Sequence, residues 1–539
     1  MKHWVLISIA LCAATVEPPE AQSQAAGGPV SFERLASARR EPQNWLTYWG
    51  DYQGTRFRNL SQIDTTNVSR LRVEWIYQTE QPWPFETVPL VADGVMYFTA
   101  ANGFAFALDP KTGRELWRYQ YKIPAKSAGC CGSINRGLAI LGSRLFMVTA
   151  DAHLVAIDAR NGKALWDVAY APNSKSYGGT LAPLAVKDKV IVGTGGGEFG
   201  ARGFVAAFSA DTGKELWRFW TVPGPGERGN ETWGSDSWAR GGASTWMTGT
   251  YDPELDLVYW GVGNPGPDLN GDVRPGDNLY SDCVIALEAA TGKLRWYFQF
   301  TPHDTHDWDA AETPMLVDLN WQGRPRKLLL QANRNAFYYV LDRVTGEFLL
   351  ARPFARQNWA EGVDAKGRPQ LKPLKPTGAD LGTYVCPGQA GATNWMAPSY
   401  EPKLGLFFLN VREQCDTFYS TPPLYKVGRP YIGGAQRGAQ GEREYGLVTA
   451  LDALSGEVKW QFRTNRAPWA GTMATAGGLL FAGDEDGYLM AFDAAKGNPL
   501  WKIYTGSELH SSPITYLHEG KQYITMPSGS ALITFALPD

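Results

Sequence analysis

The chain has 539 residues, enough for several ordinary domains or one large repeat array. A formal net charge of −3, without any Lys/Arg cluster, gives no nucleic-acid signal. With 19% charged and 13% aromatic residues, 21 of them Trp, the chain buries much aromatic surface and is not a disordered one.

At the N-terminus, Lys2 and His3 precede an apolar run from Trp4 to Val16, and a small, polar stretch follows. This reads as a secretory signal and processed segment over residues 1–25, leaving 26–539 as the mature domain. The apolar run is too short to span a membrane, and no span is expected in the mature chain. Cys12 is expected to leave with the signal. Cys130, Cys131, Cys283, Cys386 and Cys415 remain. An oxidising compartment favours pairing. Cys386 and Cys415 can close one loop, Cys130 and Cys131 are adjacent, and Cys283 is left over. No CxxCH occurs, so no c-type haem is attached to this chain.

A short pattern, first met as ALDPKTGRELW (107–117), returns along the chain with its glycine at 113, 162, 213, 292, 346, 456 and 497. The fourth residue before the glycine is usually Asp; the fourth after it is Trp, except at Leu350. An apolar strand, a polar turn closed by a glycine of positive φ and a Trp-bearing return strand make a hairpin. One such unit cannot bury its own faces, so each Trp is expected to pack on a neighbour. Spacings of mostly 40–55 residues mark an all-β propeller. The 110-residue gap between Gly346 and Gly456 has room for two blades. The expected total is eight blades in a single domain, with the segments near 73–77 and 531–537 closing the ring. Three inserts, 222–242, 352–380 and 421–444, read as surface loops that shape a binding mouth.

The densest chemistry lies in TPHDTHDWDA (301–310), after the strand-like run 294–300. It holds His303, His306, Asp304, Asp307 and Asp309. Carboxylates two apart in a loop at a strand end can share a cation, or divide base and ligand roles. An Asp-capped turn is the plainer alternative. GTGGGEFG (193–200) is not a phosphate loop, because no Lys-Ser/Thr and no helix pattern follow.

These segments, with PFETVP, CCGSINRG, VTADAH, GGASTW, GVGNPGP, NRNAF, TNW and PWAGTM, resemble the quinoprotein alcohol dehydrogenases, the family of methanol and ethanol dehydrogenase large subunits. The resemblance runs from residues 83–91 to the last blade. It implies a periplasmic enzyme that holds pyrroloquinoline quinone (PQQ) and one metal ion on the axis of an eight-bladed propeller. The cofactor-binding positions it implies are Glu86, Cys130, Cys131, Arg136, Thr149, Gly196, Gly197, Ser244, Trp246, Arg334, Asn394 and Trp469. Cys130 and Cys131 would be bridged against one face of the quinone, with Trp246 on the other. Neighbouring Cα atoms lie about 3.8 Å apart, below the usual disulfide range of roughly 4.4–6.8 Å, so the residues by themselves favour two thiols or two separate bridges. Glu86 is unexpected beside an anionic cofactor. Ser244 stands where relatives often have Thr.

The implied metal ligands are Glu198, Asn264 and Asp307, oxygen donors that suit a hard cation such as Ca²⁺. A transition-metal site of His303, His306 and Asp307 is the alternative. His306 stands where relatives often carry Trp. Asp309, two residues after Asp307, resembles the lanthanide-dependent branch, and Glu198, Asp307 and Asp309 together carry the three charges of a trivalent ion. Catalysis would rest on Asp307 as general base and Arg334 as its partner: an alcohol is oxidised to an aldehyde or ketone, and electrons pass to a periplasmic cytochrome c. A homodimer is compatible with this reading. Its rivals are a non-catalytic propeller scaffold of outer-membrane assembly and a sugar or polyol dehydrogenase that also uses PQQ. Which alcohol is the substrate is not encoded in these motifs.

Overall fold

The computed structural model describes residues 29–81, 85–124, 132–374 and 382–539. The expected signal segment 1–25 and the Cys130–Cys131 pair lie outside them. Among the described residues, seven antiparallel sheets follow one another along the chain, covering 90–120, 139–169, 184–220, 250–299, 315–353, 399–464 and 472–504. The eighth joins Ile514–His518, Lys521–Ser528 and Ala531–Ala536 to Arg72–Gln78 from near the start of the chain. Arg72–Gln78 pairs antiparallel with Ala531–Ala536, so the two ends of the chain close the ring, as expected. The sheet at 472–504 gains a short parallel edge strand, Phe57–Arg58.

Burial follows from this stacking. Middle strands are covered on both faces by neighbouring blades; His153–Asp158 is buried at every position but its first. Outer strands such as Glu115–Gln120 alternate between half-buried and exposed, with one face toward water.

The repeat glycines hold the blades together. At Gly292 (φ +69°) a Cβ would stand 2.4 Å from the Trp217 ring, and at Gly346 (φ +78°) 2.7 Å from Trp296. The Trp therefore lies flat on the next blade's turn. Its indole N–H caps a turn carbonyl there: Trp217 on Ala289 at 3.1 Å, Trp296 on Arg343 at 3.1 Å. The copy that carries Leu350 in place of Trp is served by Tyr338. Its ring lies 2.9 Å from a Cβ at Gly456, and its hydroxyl donates to Ala453 O at 2.7 Å.

One expectation is corrected. The 110-residue gap holds one blade, not two. The extra length goes into a ribbon, Ala360–Val363 with Pro369–Leu371, and a small sheet of Thr383–Val385, Asp416–Ser420 and Gly434–Gly438. The count of eight stands because the terminal blade supplies the eighth. Cys386 and Cys415 form a disulfide that closes part of this elaboration, and Cys283 is free and buried.

Candidate active site

Connections from successive blades converge on a cavity of about 410 Å³. Ten of the expected positions line it: Arg136, Gly196, Glu198, Ser244, Trp246, Asp307, Asp309, Arg334, Asn394 and Trp469. Glu86, Thr149, Gly197 and Asn264 stand behind that lining. Cys130 and Cys131 lie outside the described residues.

The loop after strand Leu294–Gln299 is built around Asp304. Its buried carboxylate accepts from the backbone N–H groups of His306 at 3.0 Å and Trp308 at 2.8 Å, so the capped-turn role belongs to Asp304. That turn leaves Asp307 with φ +63°, a costly conformation for a non-glycine residue, and delivers Asp307 and Asp309 to the cavity. His306 stacks on Trp308 with centroids 4.5 Å apart and does not line the cavity. His303 is likewise absent from the lining, with Nδ1 2.8 Å from Gly276 O. The imidazole–Asp307 alternative therefore has no geometric support.

Arg334 projects from the turn between strands Arg324–Ala332 and Phe337–Asp342. Side-chain oxygens of Asn333 and Asn335 accept from the N–H groups of Asn335 and Phe337, both at 3.1 Å, and fix that turn. The guanidinium is buried. It pairs with Asp309, lies 3.9 Å from Asp307 Oδ2 and donates to Gln389 O at 3.0 Å. Gln389 Nε2 donates to Asp307 Oδ2 at 2.9 Å. Asp309 also accepts from Asn264 N at 2.8 Å and from the Trp246 indole at 3.1 Å. Gly263 makes room for this: a Cβ there would stand 2.3 Å from Asp309 Oδ1.

Glu198 sits in the tight turn Gly197–Phe199, flanked by Gly196 (φ +100°) and Gly200 (φ +73°). Its Oε2 is buried without a partner. Burial pushes its carboxyl above the ordinary range, and the Asp309 charge adds to this. Asp307 is pushed well up by burial, with Arg334 opposing and the charges of Asp309 and Glu198 reinforcing. Burial raises Asp309 too, against Arg334. Carboxylates so placed call for a cation.

On the other side Arg136 is held by Glu86 at 2.7 Å and donates to Thr180 Oγ1 at 2.6 Å. Glu86 thus faces a guanidinium, not the cavity, which accounts for an acid at that place. The Arg136 guanidinium lies 4.9 Å over Trp246 and 5.4 Å over Trp395. Trp395 and Trp469 stack at 4.4 Å with an interplanar angle of 11°. Thr149 donates to Asp151 at 2.5 Å.

Sequence reasoning missed Thr180, Asp268, Gln389, Trp395, Gln414, Asp416, Ile432 and Gln436 in the lining. Asp268 and Trp395 lay within reach, four residues after Asn264 and next to Asn394. Among the described residues of the three inserts, only those of 421–444 reach this cavity, through Ile432 and Gln436; described residues of 352–380 line a separate cavity of about 250 Å³ beside His303.

The donor set suits a flat polyanion with a hard cation. Trp246 offers an aromatic face, Arg136 and Arg334 each keep a buried Nε without a partner, and Glu198 Oε2 is unmatched. Among the described residues no helix is long and apolar enough to cross a membrane.

The family described as PQQ: glucose/ethanol/alcohol dehydrogenase, beta-propeller domain, matches residues 45–352 and 463–524. The chain is 36% identical over 533 residues to the quinoprotein alcohol dehydrogenase PedH of Pseudomonas putida, covering 94% of this chain and 89% of that one. It is also 36% identical to the lanthanide-dependent methanol dehydrogenase of Methylacidiphilum fumariolicum, over 92% of this chain and 86% of that protein. The solved structure of a europium-containing methanol dehydrogenase superposes with a TM-score of 0.89 at 33% identity, covering 94% of this chain and all of that one. A β-propeller with this cavity and these relatives belongs to the PQQ-dependent alcohol dehydrogenase family.

Proposed function

We propose that the chain is a periplasmic dehydrogenase that oxidises an alcohol to an aldehyde or ketone with PQQ and one metal ion, a lanthanide in preference to Ca²⁺, and delivers electrons to a separate cytochrome c. The observation that carries this reading is the convergence of Asp307 and Asp309 on Arg334 in a cavity that Glu198 also lines and Trp246 faces.

Glu198, Asn264, Asp307 and Asp309 would hold the cation. Trp246 presents its ring to the cofactor; Arg136, Thr149, Gly196, Gly197, Ser244, Arg334, Asn394 and Trp469 hold its polar rim; and Glu86 orients Arg136. Cys130 and Cys131 complete the cofactor set as the family resemblance implies. PQQ, when bound, supplies the acceptor for the two electrons leaving the carbinol carbon. Asp307 takes the hydroxyl proton on a carboxylate oxygen. Gln389 and Arg334 fix its orientation, and a cation beside it keeps it ionised for that task. Arg334 also stabilises negative charge developing in the cavity. The name of one relative supports the lanthanide preference, as does Asp309 two residues beyond Asp307.

The test is to load metal-free protein with PQQ and either La³⁺ or Ca²⁺ and to measure dye-linked oxidation of primary and secondary alcohols. Wild type is expected to be much more active with La³⁺, and Asp309→Ala to lose that preference. Equal activity with both ions would overturn the lanthanide reading. Absence of both quinone absorption and turnover would overturn the cofactor reading.

A further inference from the structure

The cation set read from the sequence leaves two carboxylates of the cavity unused, Asp268 and Asp416, and Asp416 is committed to the Gln389 N–H at 2.7 Å. Asp268 lines the same cavity, is 2% exposed, and keeps Oδ1 buried without any partner. It feels the charges of Asp307, Glu198 and Asp309. The backbone on either side is anchored: Gly266 N donates to Gly241 O at 2.9 Å and Leu269 N to Ile432 O at 2.8 Å. Arg274, the buried cation beneath this loop, spends its N–H groups on Pro267 O, Asp304 O and Asn278, not on Asp268. An acid held in place, buried and unmatched, beside the expected ligands is arranged for a cation.

The charges make the same point. Arg334 is paired with Asp309 and cancels one negative charge. Glu198, Asp307 and Asp309 then leave two charges uncompensated, the complement of a divalent ion; Asp268 brings the total to three. We propose that Asp268 is a further ligand of the cation held by Glu198, Asn264 and Asp307, and that it supplies the third uncompensated charge for a trivalent ion. The inference rests on the reading that a cation occupies this cavity.

The test needs no turnover. Metal-free protein is titrated with Tb³⁺, followed by Trp-sensitised luminescence, and with Ca²⁺, followed by thermal shift. Asp268→Asn is expected to weaken Tb³⁺ binding about 10–100-fold, the usual scale for losing a supporting group at a metal site, while changing Ca²⁺ binding far less. Asp268→Glu, which keeps the charge, should recover part of the loss. Metal-free Asp268→Asn should melt no lower than wild type, because it loses only an unpaired buried acid. Unchanged Tb³⁺ affinity, or an equal loss for both ions, would overturn the proposal. Asp307→Ala separates the two levels. If wild type binds Tb³⁺ and Asp307→Ala weakens it while Asp268→Asn does not, Asp268 alone is excluded; if wild type binds no Tb³⁺, the cation site itself fails.

Discussion

The blade at 315–353 has a turn at each end of its middle hairpins, and the two bury polar groups in opposite ways. At the turn around Gly346, Trp296 covers the backbone and gives its N–H to Arg343 O, while Asp342 accepts from Val344 N at 3.0 Å and Thr345 N at 3.1 Å. At the other turn Arg334 enters the cavity with its Nε unmatched, close to Asp307, whose backbone is strained, and to Glu198, whose Oε2 is unmatched. The first turn obeys local rules and returns stability. The second breaks them where something outside the chain is needed to complete it. Fold and chemistry are therefore separable in this molecule: damage to the first kind of turn should melt it, and damage to the second should silence it.

The largest break on the fold side is Trp296→Ala. Trp296 is nearly fully buried and spans two blades. Its truncation should cost about 3–5 kcal/mol of stability. Denaturant unfolding of cofactor-loaded protein would measure this, with turnover per folded molecule retained. A loss of turnover without a loss of stability would erase the distinction.

A smaller effect sharpens the cavity side through pH. Burial raises the carboxyls of Glu198, Asp307, Asp309 and Glu312 above their unfolded values near 4. At these four groups the metal-free native state holds more protons than the unfolded chain, so their contribution to stability is fullest below about pH 4 and declines as pH rises through the raised values. A bound cation takes these groups ionised, releases protons, and should flatten or reverse the slope. Melting temperatures of metal-free and metal-loaded protein between pH 5 and 8 would check this. A metal-free protein that grows more stable with pH would contradict the burial account.

Much of this was legible because it is local. Gly113 to Gly497 with their Trp partners repeat a hairpin, and hairpin chemistry is written in adjacent residues. The insertion after Gly346 was misread because Ala360–Val363 and Gly434–Gly438 pair without the repeat's turn, and spacing by itself cannot distinguish an elaboration from a blade. In the cavity, Glu198, Trp246, Asp307, Asp309 and Arg334 sit in short recognisable segments. Gln389 reaches it from the loop closed by Cys386 and Cys415, Asp416 from the strand just beyond that loop, and Ile432 and Gln436 from a distant insert. Nothing in their neighbours in sequence marks them, since their placement depends on long-range pairing. Glu86 was found but its partner was not, because the ion pair to Arg136 joins residues 50 apart.

The most direct measurement of the central claim is Asp307→Asn in protein loaded with PQQ and La³⁺, read for quinone absorption, melting temperature and alcohol turnover together. The account predicts cofactor absorption and melting temperature close to wild type, with turnover lower by about 10²–10⁴-fold. Turnover near wild type would contradict it, because a group other than Asp307 would then be taking the proton.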